Sequence, residues 1–173
     1  MSVRPGIAIG SNEFPVVGDM LTIGTQAPDF KLTANNWSSK SLSDYTGKVK
    51  ILSIVPSLDT SVCSAQTHRF NQEASSFGQN IIVLTVSADL PYAQSRWCGA
   101  EGVERVETLS DHLDMNFSNA YGVHVKDLRI CQRAAFVVDQ NNVVQYAEYV
   151  PDIDDEINFA AVLSKAKSLI VST

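Results

Sequence analysis

Cys63 stands three residues after Thr60 and seven after Pro56 in the stretch PSLDTSVCSAQTHRF. A cysteine there is a packed thiol, a metal ligand or a nucleophile, and each requires different company. His68, His112 and His124 are scattered without ligand spacing, and no CxxC or HExxH occurs, so zinc and iron–sulfur chemistry are weak readings and no metal or cofactor is expected. The three cysteines, Cys63, Cys98 and Cys131, fit no closed framework of structural disulfides. A mobile pair with one spare is the more informative option. The spacing of Val62, Phe70, Ala74 and Phe77 predicts a helix over residues 60–77. If Thr60 caps it, Cys63 is the third helical residue, among unpaired backbone N–H groups that favour a thiolate. The alternative is a buried core cysteine, a common fate of free thiols.

On that helix Gln66 and Thr67 lie on the cysteine's side, whereas His68, five residues on, does not and is not assigned as a base. Asp59, beside the cap, is expected to face solvent. Arg133 precedes the apolar run AAFVVD; such a charge is ordinarily a solvated strand end, but beside a sulfur its fixed fork of donors would hold both thiolate and substrate. Cys131 and Arg133 are two apart and on a strand would point the same way. Trp97, next to Cys98, is either core or a lid over it.

These residues need elements to position them. IAIG, FPVV and MLTIG read as short strands turning at Gly10 and Gly18-Asp19, which makes residues 1–22 an N-terminal hairpin extension. Two extended pieces flank Asn35-Asn36. The branched run 49–55 is too short for a buried helix and reads as a central strand ended by Pro56, so Cys63 sits at a strand's carboxyl end, where open α/β sheets place their sites. Residues 81–87 and 133–139 are further covered strands, the latter turning at Asn141-Asn142 into VVQYAEYV. Residues 91–99 read as a short helix of weak propensity, with breakable flanks at Gly99 and Gly102; residues 106–123 read as a turn region. PDIDDEINFAAVLSKAKSLI is the clearest helix, acidic at its start and basic later. The result is an α/β fold, a central mixed β-sheet with helices on both faces, as a single domain over 1–173. Net charge is -6, from 13 basic and 19 acidic residues with no basic block, which argues against nucleic acid and anionic membranes. No long apolar run predicts a membrane span, and no export signal is read, so the cytoplasm is the expected location.

PSLDTSVCSAQTHRF, CQRAAFVVD and the SRWC that ends at Cys98 carry a further reading. In these motifs the sequence resembles the peroxiredoxins, and within them the bacterial thiol peroxidases of the atypical two-cysteine kind. The resemblance extends over essentially the whole chain and implies a thioredoxin-like fold. It implies Cys63 as the peroxidatic and Cys98 as the resolving cysteine, with Pro56, Thr60 and Arg133 completing the site. It further implies reduction of hydrogen peroxide and organic hydroperoxides through an intrachain Cys63–Cys98 disulfide, thioredoxin as electron donor, and a homodimer. Cys131 matches no general family role. Two rivals are a disulfide oxidoreductase, which would want a CxxC where Thr60 stands, and a redox-regulated binding protein, which could dispense with Arg133 and the Thr60 cap.

Overall fold

The computed structural model describes residues 1–170. The chain opens with the expected hairpin, β1 (Val3–Ile9) and β2 (Asn12–Val17), turning at Gly10. β3 (Leu32–Ala34) and β4 (Ser39–Lys40) flank the Asn35-Asn36 turn, and a short 3-10 helix (Leu42–Tyr45) follows. Then come β5 (Val49–Ile54), α1 (Ser61–Ala74), β6 (Ile81–Ser87), α2 (Pro91–Glu101) and β7 (Glu107–Ser110). α3 (Asn116–Ala120), β8 (His124–Val125), β9 (Ile130–Cys131), β10 (Ala134–Val138), β11 (Val144–Tyr149) and α4 (Phe159–Ser168) complete the order.

The main sheet has seven strands in the order β11-β10-β5-β6-β7-β3-β4, with β5, β6 and β7 parallel and the outer pairs antiparallel. Alternation along the central strands builds two cores. Leu52, Ile54, Leu84, Val86 and Phe136 face Phe117 and Tyr121. Ile51, Val83, Ala135 and Val137 lie under Phe70 of α1 and Val162 and Leu163 of α4. Each fully buried Phe, Ile or Leu contributes about 1.5–3 kcal/mol, and cover on both faces explains why these strands read as unbroken apolar runs. The hairpin joins β8 and β9 in a second, four-stranded sheet. Gly18 and Gly122 make this crossing possible: both have positive φ, and a Cβ on either would strike backbone of the other segment.

The structure departs from the sequence reading in three places and lengthens one expected helix. MLTIG is a loop, docked through Gly24 N–H to the Val144 carbonyl at 2.8 Å. The turn region around residues 106–123 holds β7, a buried strand of mostly polar residues, and α3. α2 is the expected short helix, extended to Glu101: Pro91 occupies its first turn, Gly99 lies inside it, and Gly102, in the left-handed region, closes it. α4 begins only at Phe159, with Asn158 capping Ala161 N at 3.1 Å; the acidic stretch before it stays non-helical. Among the described residues no helix is long and apolar enough to cross a membrane.

Candidate active site

β5 hands the chain to the site. Val55 N–H still bonds the Val86 carbonyl at 3.0 Å, and buried Pro56, with no N–H to give, ends the ladder. The loop that follows is clamped by Asp89, just past β6. Its carboxylate accepts from Ser57 Oγ at 2.8 Å, Leu58 N at 2.9 Å and Ser87 Oγ at 2.7 Å. Thr60 occupies the N-cap position with extended backbone, which makes Cys63 the third residue of α1, and Cys63 is fully buried. The cap itself differs from expectation. The Thr60 hydroxyl accepts nothing from the helix; it donates to the Ser57 carbonyl at 3.1 Å, and the residue is exposed. Asp59 is exposed.

Arg133 is buried, only 1% exposed, and is not a solvated strand end. Its Nη2 lies 3.3 Å from Cys63 Sγ and donates to the Ile153 carbonyl at 2.9 Å, while Nη1 donates to Gln66 Oε1 at 3.0 Å. Gln66 is anchored in turn, its Nε2 donating to Ser53 Oγ at 2.8 Å. No carboxylate pairs with Arg133 among the described residues. Ser53, Asp89 and the Ile153 carbonyl are positioning groups that sequence reasoning missed. Gln66 was placed on the right side of the helix by its spacing, but its bond to an arginine 67 residues away had no local signal. His68 faces away, 3.0 Å from Glu101 and against the Trp97 ring.

α2 sets Trp97 against the cluster of Val55, Leu58 and Cys63, so Trp97 is partly core and packs over Cys63. Cys98, half-buried, points elsewhere, with Sγ 3.6 Å from Thr108 Oγ1. Cys131 and Arg133 do not share a face. The ladder breaks at Gln132 and Arg133, between β9 and β10, and the break turns Cys131 into the Phe117 and Tyr121 core while Arg133 faces α1. There Cys131 lies 3.1 Å from Ser118 Oγ, and burial, with Asp111 nearby, pushes its thiol up to about 12. All three cysteines are free.

A mixed sheet with a sulfur and a lone guanidinium buried at the carboxyl ends of its central strands belongs to a cysteine-based redox protein. Comparison narrows the class. The redoxin family pattern matches residues 22–163. A thiol peroxidase of Bacillus subtilis (strain 168) is 51% identical over 155 residues, covering 90% of this chain and 92% of that one. A thiol peroxidase of Streptococcus pneumoniae (strain ATCC BAA-255 / R6) is 47% identical over 158 residues, covering 91% and 96%. Among solved structures, a peroxiredoxin-like protein from Aquifex aeolicus superposes with a TM-score of 0.89 at 32% identity, over 97% of this chain and 99% of that one. A thiol peroxidase from Chromobacterium violaceum shares the fold, with a TM-score of 0.83 at 21% identity over 94% and 95%. The chain belongs to the redoxin family and, within its peroxiredoxins, to the bacterial thiol peroxidases.

Proposed function

We propose that this peroxiredoxin reduces hydrogen peroxide and organic hydroperoxides to water and alcohols, with Cys63 as nucleophile and Cys98 as resolving thiol. The observation that carries the reading is the 3.3 Å contact between Arg133 Nη2 and Cys63 Sγ, made by a buried guanidinium without a carboxylate partner among the described residues. A buried charge is costly unless matched, and the negative charge that the attacking sulfur carries is the match the guanidinium is placed to make. The thiolate attacks one peroxide oxygen; the S–O bond forms as the O–O bond breaks, leaving a sulfenic acid on Cys63. The expelled alkoxide or hydroxide takes a proton and leaves as alcohol or water. Arg133 and the first-turn N–H groups of α1 stabilise the charge growing on that oxygen. Arg133 Nε, buried and without a partner among the described residues, is a further donor for it. Pro56 keeps water from the sulfur, and the Thr60 hydroxyl, whose proton goes to the Ser57 carbonyl at 3.1 Å, offers a lone pair to the peroxide O–H at the rim of the loop.

Resolution follows when Cys98 sulfur displaces the hydroxyl from the Cys63 sulfenic acid: the S–S bond forms, the S–O bond breaks and water leaves. Because Cys63 is buried beneath Trp97, the first turn of α1 and part of α2 open before the sulfurs meet. The disulfide is then attacked by a dithiol of the thioredoxin kind through a mixed disulfide. The working unit is a homodimer in the cytoplasm.

Hydroperoxide consumption with thioredoxin and its reductase, set against reduction of insulin disulfides, tests the reading: the first should be fast and the second absent. After a single equivalent of peroxide, unreduced peptide maps should contain a Cys63–Cys98 link. Cys98→Ser should keep the first attack, accumulate oxidised Cys63 and lose turnover, while Cys131→Ser should keep turnover. A Cys63–Cys131 peptide with an inactive Cys131→Ser would name the other partner.

A further inference from the structure

Cys98 is held at both ends. Its carbonyl accepts the Val103 N–H at 3.0 Å in the closing turn of α2. Its sulfur lies 3.6 Å from Thr108 Oγ1, and that hydroxyl donates to Asn35 Oδ1 at 2.9 Å. A hydroxyl has one proton. With that proton directed to Asn35, Thr108 presents a lone pair to the sulfur, and Cys98 S–H is the donor. The arrangement fits the neutral thiol. Burial raises the Cys98 thiol above its ordinary range, and the Thr108 and Asn35 side chains draw it only part of the way back. Thr108 is itself fixed, 2% exposed and paired in register with Thr85 of β6. Asn35 belongs to the turn between β3 and β4. Three elements thus converge on one thiol, beside a pocket of about 480 Å³ that Lys40, Glu104 and Glu107 also line.

We infer that Thr108, anchored by Asn35, is a positioning residue that latches Cys98 away from Cys63 in the reduced fold and so limits the rate of disulfide formation. The inference rests on Cys98 being the resolving thiol. For Cys98 sulfur to displace the Cys63 sulfenic hydroxyl, releasing water as the S–S bond forms, the Cys98–Thr108 bond must first break. The rate therefore scales with the population in which α2 is locally open. A latch that slows resolution lengthens the life of the sulfenic acid and exposes Cys63 to a second peroxide, which takes it to the sulfinic acid with loss of another water.

The test follows reduced protein in rapid mixing with peroxide, with attack and resolution read as separate phases and sulfinic Cys63 counted by mass spectrometry. Thr108→Val keeps the shape and removes the acceptor. It should speed resolution about fivefold, the weight of one neutral hydrogen bond, with attack unchanged and less sulfinic acid at a given peroxide dose. Thr108→Ser restores the hydroxyl and should return both rates to the wild-type values. Asn35→Ala frees the anchor from the far side and should also speed resolution. Thr108→Val resolving at the wild-type rate or slower, or Thr108→Ser behaving as Thr108→Val, overturns the latch. An unreduced peptide map of the wild-type protein separates the two claims, since absence of a Cys63–Cys98 link there means the resolving assignment has failed and the latch with it.

Discussion

At the scale of single residues the site turns on Arg133, whose two terminal nitrogens hold a sulfur, an amide oxygen and a backbone carbonyl. Arg133→Met keeps the length of the chain and removes the charge and the donors. The loss in the transition state should be about 2–4 kcal/mol, or roughly 30- to 1,000-fold in the rate of peroxide attack. Stability should change less. The change orphans the Gln66 and Ile153 oxygens, a cost of about 1–3 kcal/mol each, but it also withdraws a buried cation that has no carboxylate partner among the described residues, which offsets part of that cost. Rapid-mixing rates and thermal melts taken on the same samples decide the matter. A melt that collapses in step with the rate would make Arg133 chiefly structural.

At the scale of elements, α2 carries its own weakness. Gly99 is exposed within it, next to Cys98, and a Cβ added there meets nothing within 4 Å. The glycine serves no packing purpose, and it costs the helix about 1 kcal/mol relative to alanine. Gly99→Ala should therefore stabilise α2, slow resolution about fivefold and leave peroxide attack unchanged; an unaltered resolution rate would show that opening of α2 does not limit it. The elements also show what sequence could and could not disclose. β5, β6 and β10 were legible because strands covered on both faces leave apolar runs. The position of Cys63 was legible because Pro56, Thr60 and helical spacing are local signals. β7 was not: Thr108 and Ser110 are buried there because Asn35, Cys98 and the Asp89 carbonyl bond them, which is tertiary information. The acidic stretch before α4 favoured a helix locally and lost to long-range bonds. Ile153 N–H is held by the Ala8 carbonyl at 3.0 Å, and the Ile153 carbonyl by Arg133 at 2.9 Å. The separation of Cys131 from Arg133 escaped parity reasoning because the ladder breaks between them.

At the scale of the molecule, the N-terminal hairpin reaches the site through Ala8, which grips the segment whose carbonyl holds the arginine. The opposite question is what the exposed surface does. Trp37, Leu90, Tyr92 and Leu113 are 45%, 52%, 72% and 68% exposed. The Trp37 ring lies tilted against Tyr92 at 5.1 Å and edge-on to His112 at 5.5 Å, and shares a groove with Leu113, so β3–β4, α2 and the loop after β7 present one apolar surface. Large contiguous apolar surface is uncommon on monomers, and the net charge of -6 opposes self-association except where such surface drives it. The proposed homodimer would use this face, at about 800 Å² buried per subunit for a stable interface. Because two of the contributing elements also carry Cys98 and its anchor Asn35, dimerisation would brace the segment that opens for resolution. Sedimentation in reductant at micromolar protein should give the mass of two chains, independent of any intermolecular disulfide. Tyr92→Glu, which places a charge in the centre of the patch and touches neither cysteine, should give one chain, with peroxide attack retained and resolution accelerated. A wild-type monomer under these conditions removes the homodimer, and a Tyr92→Glu dimer removes this face as its interface.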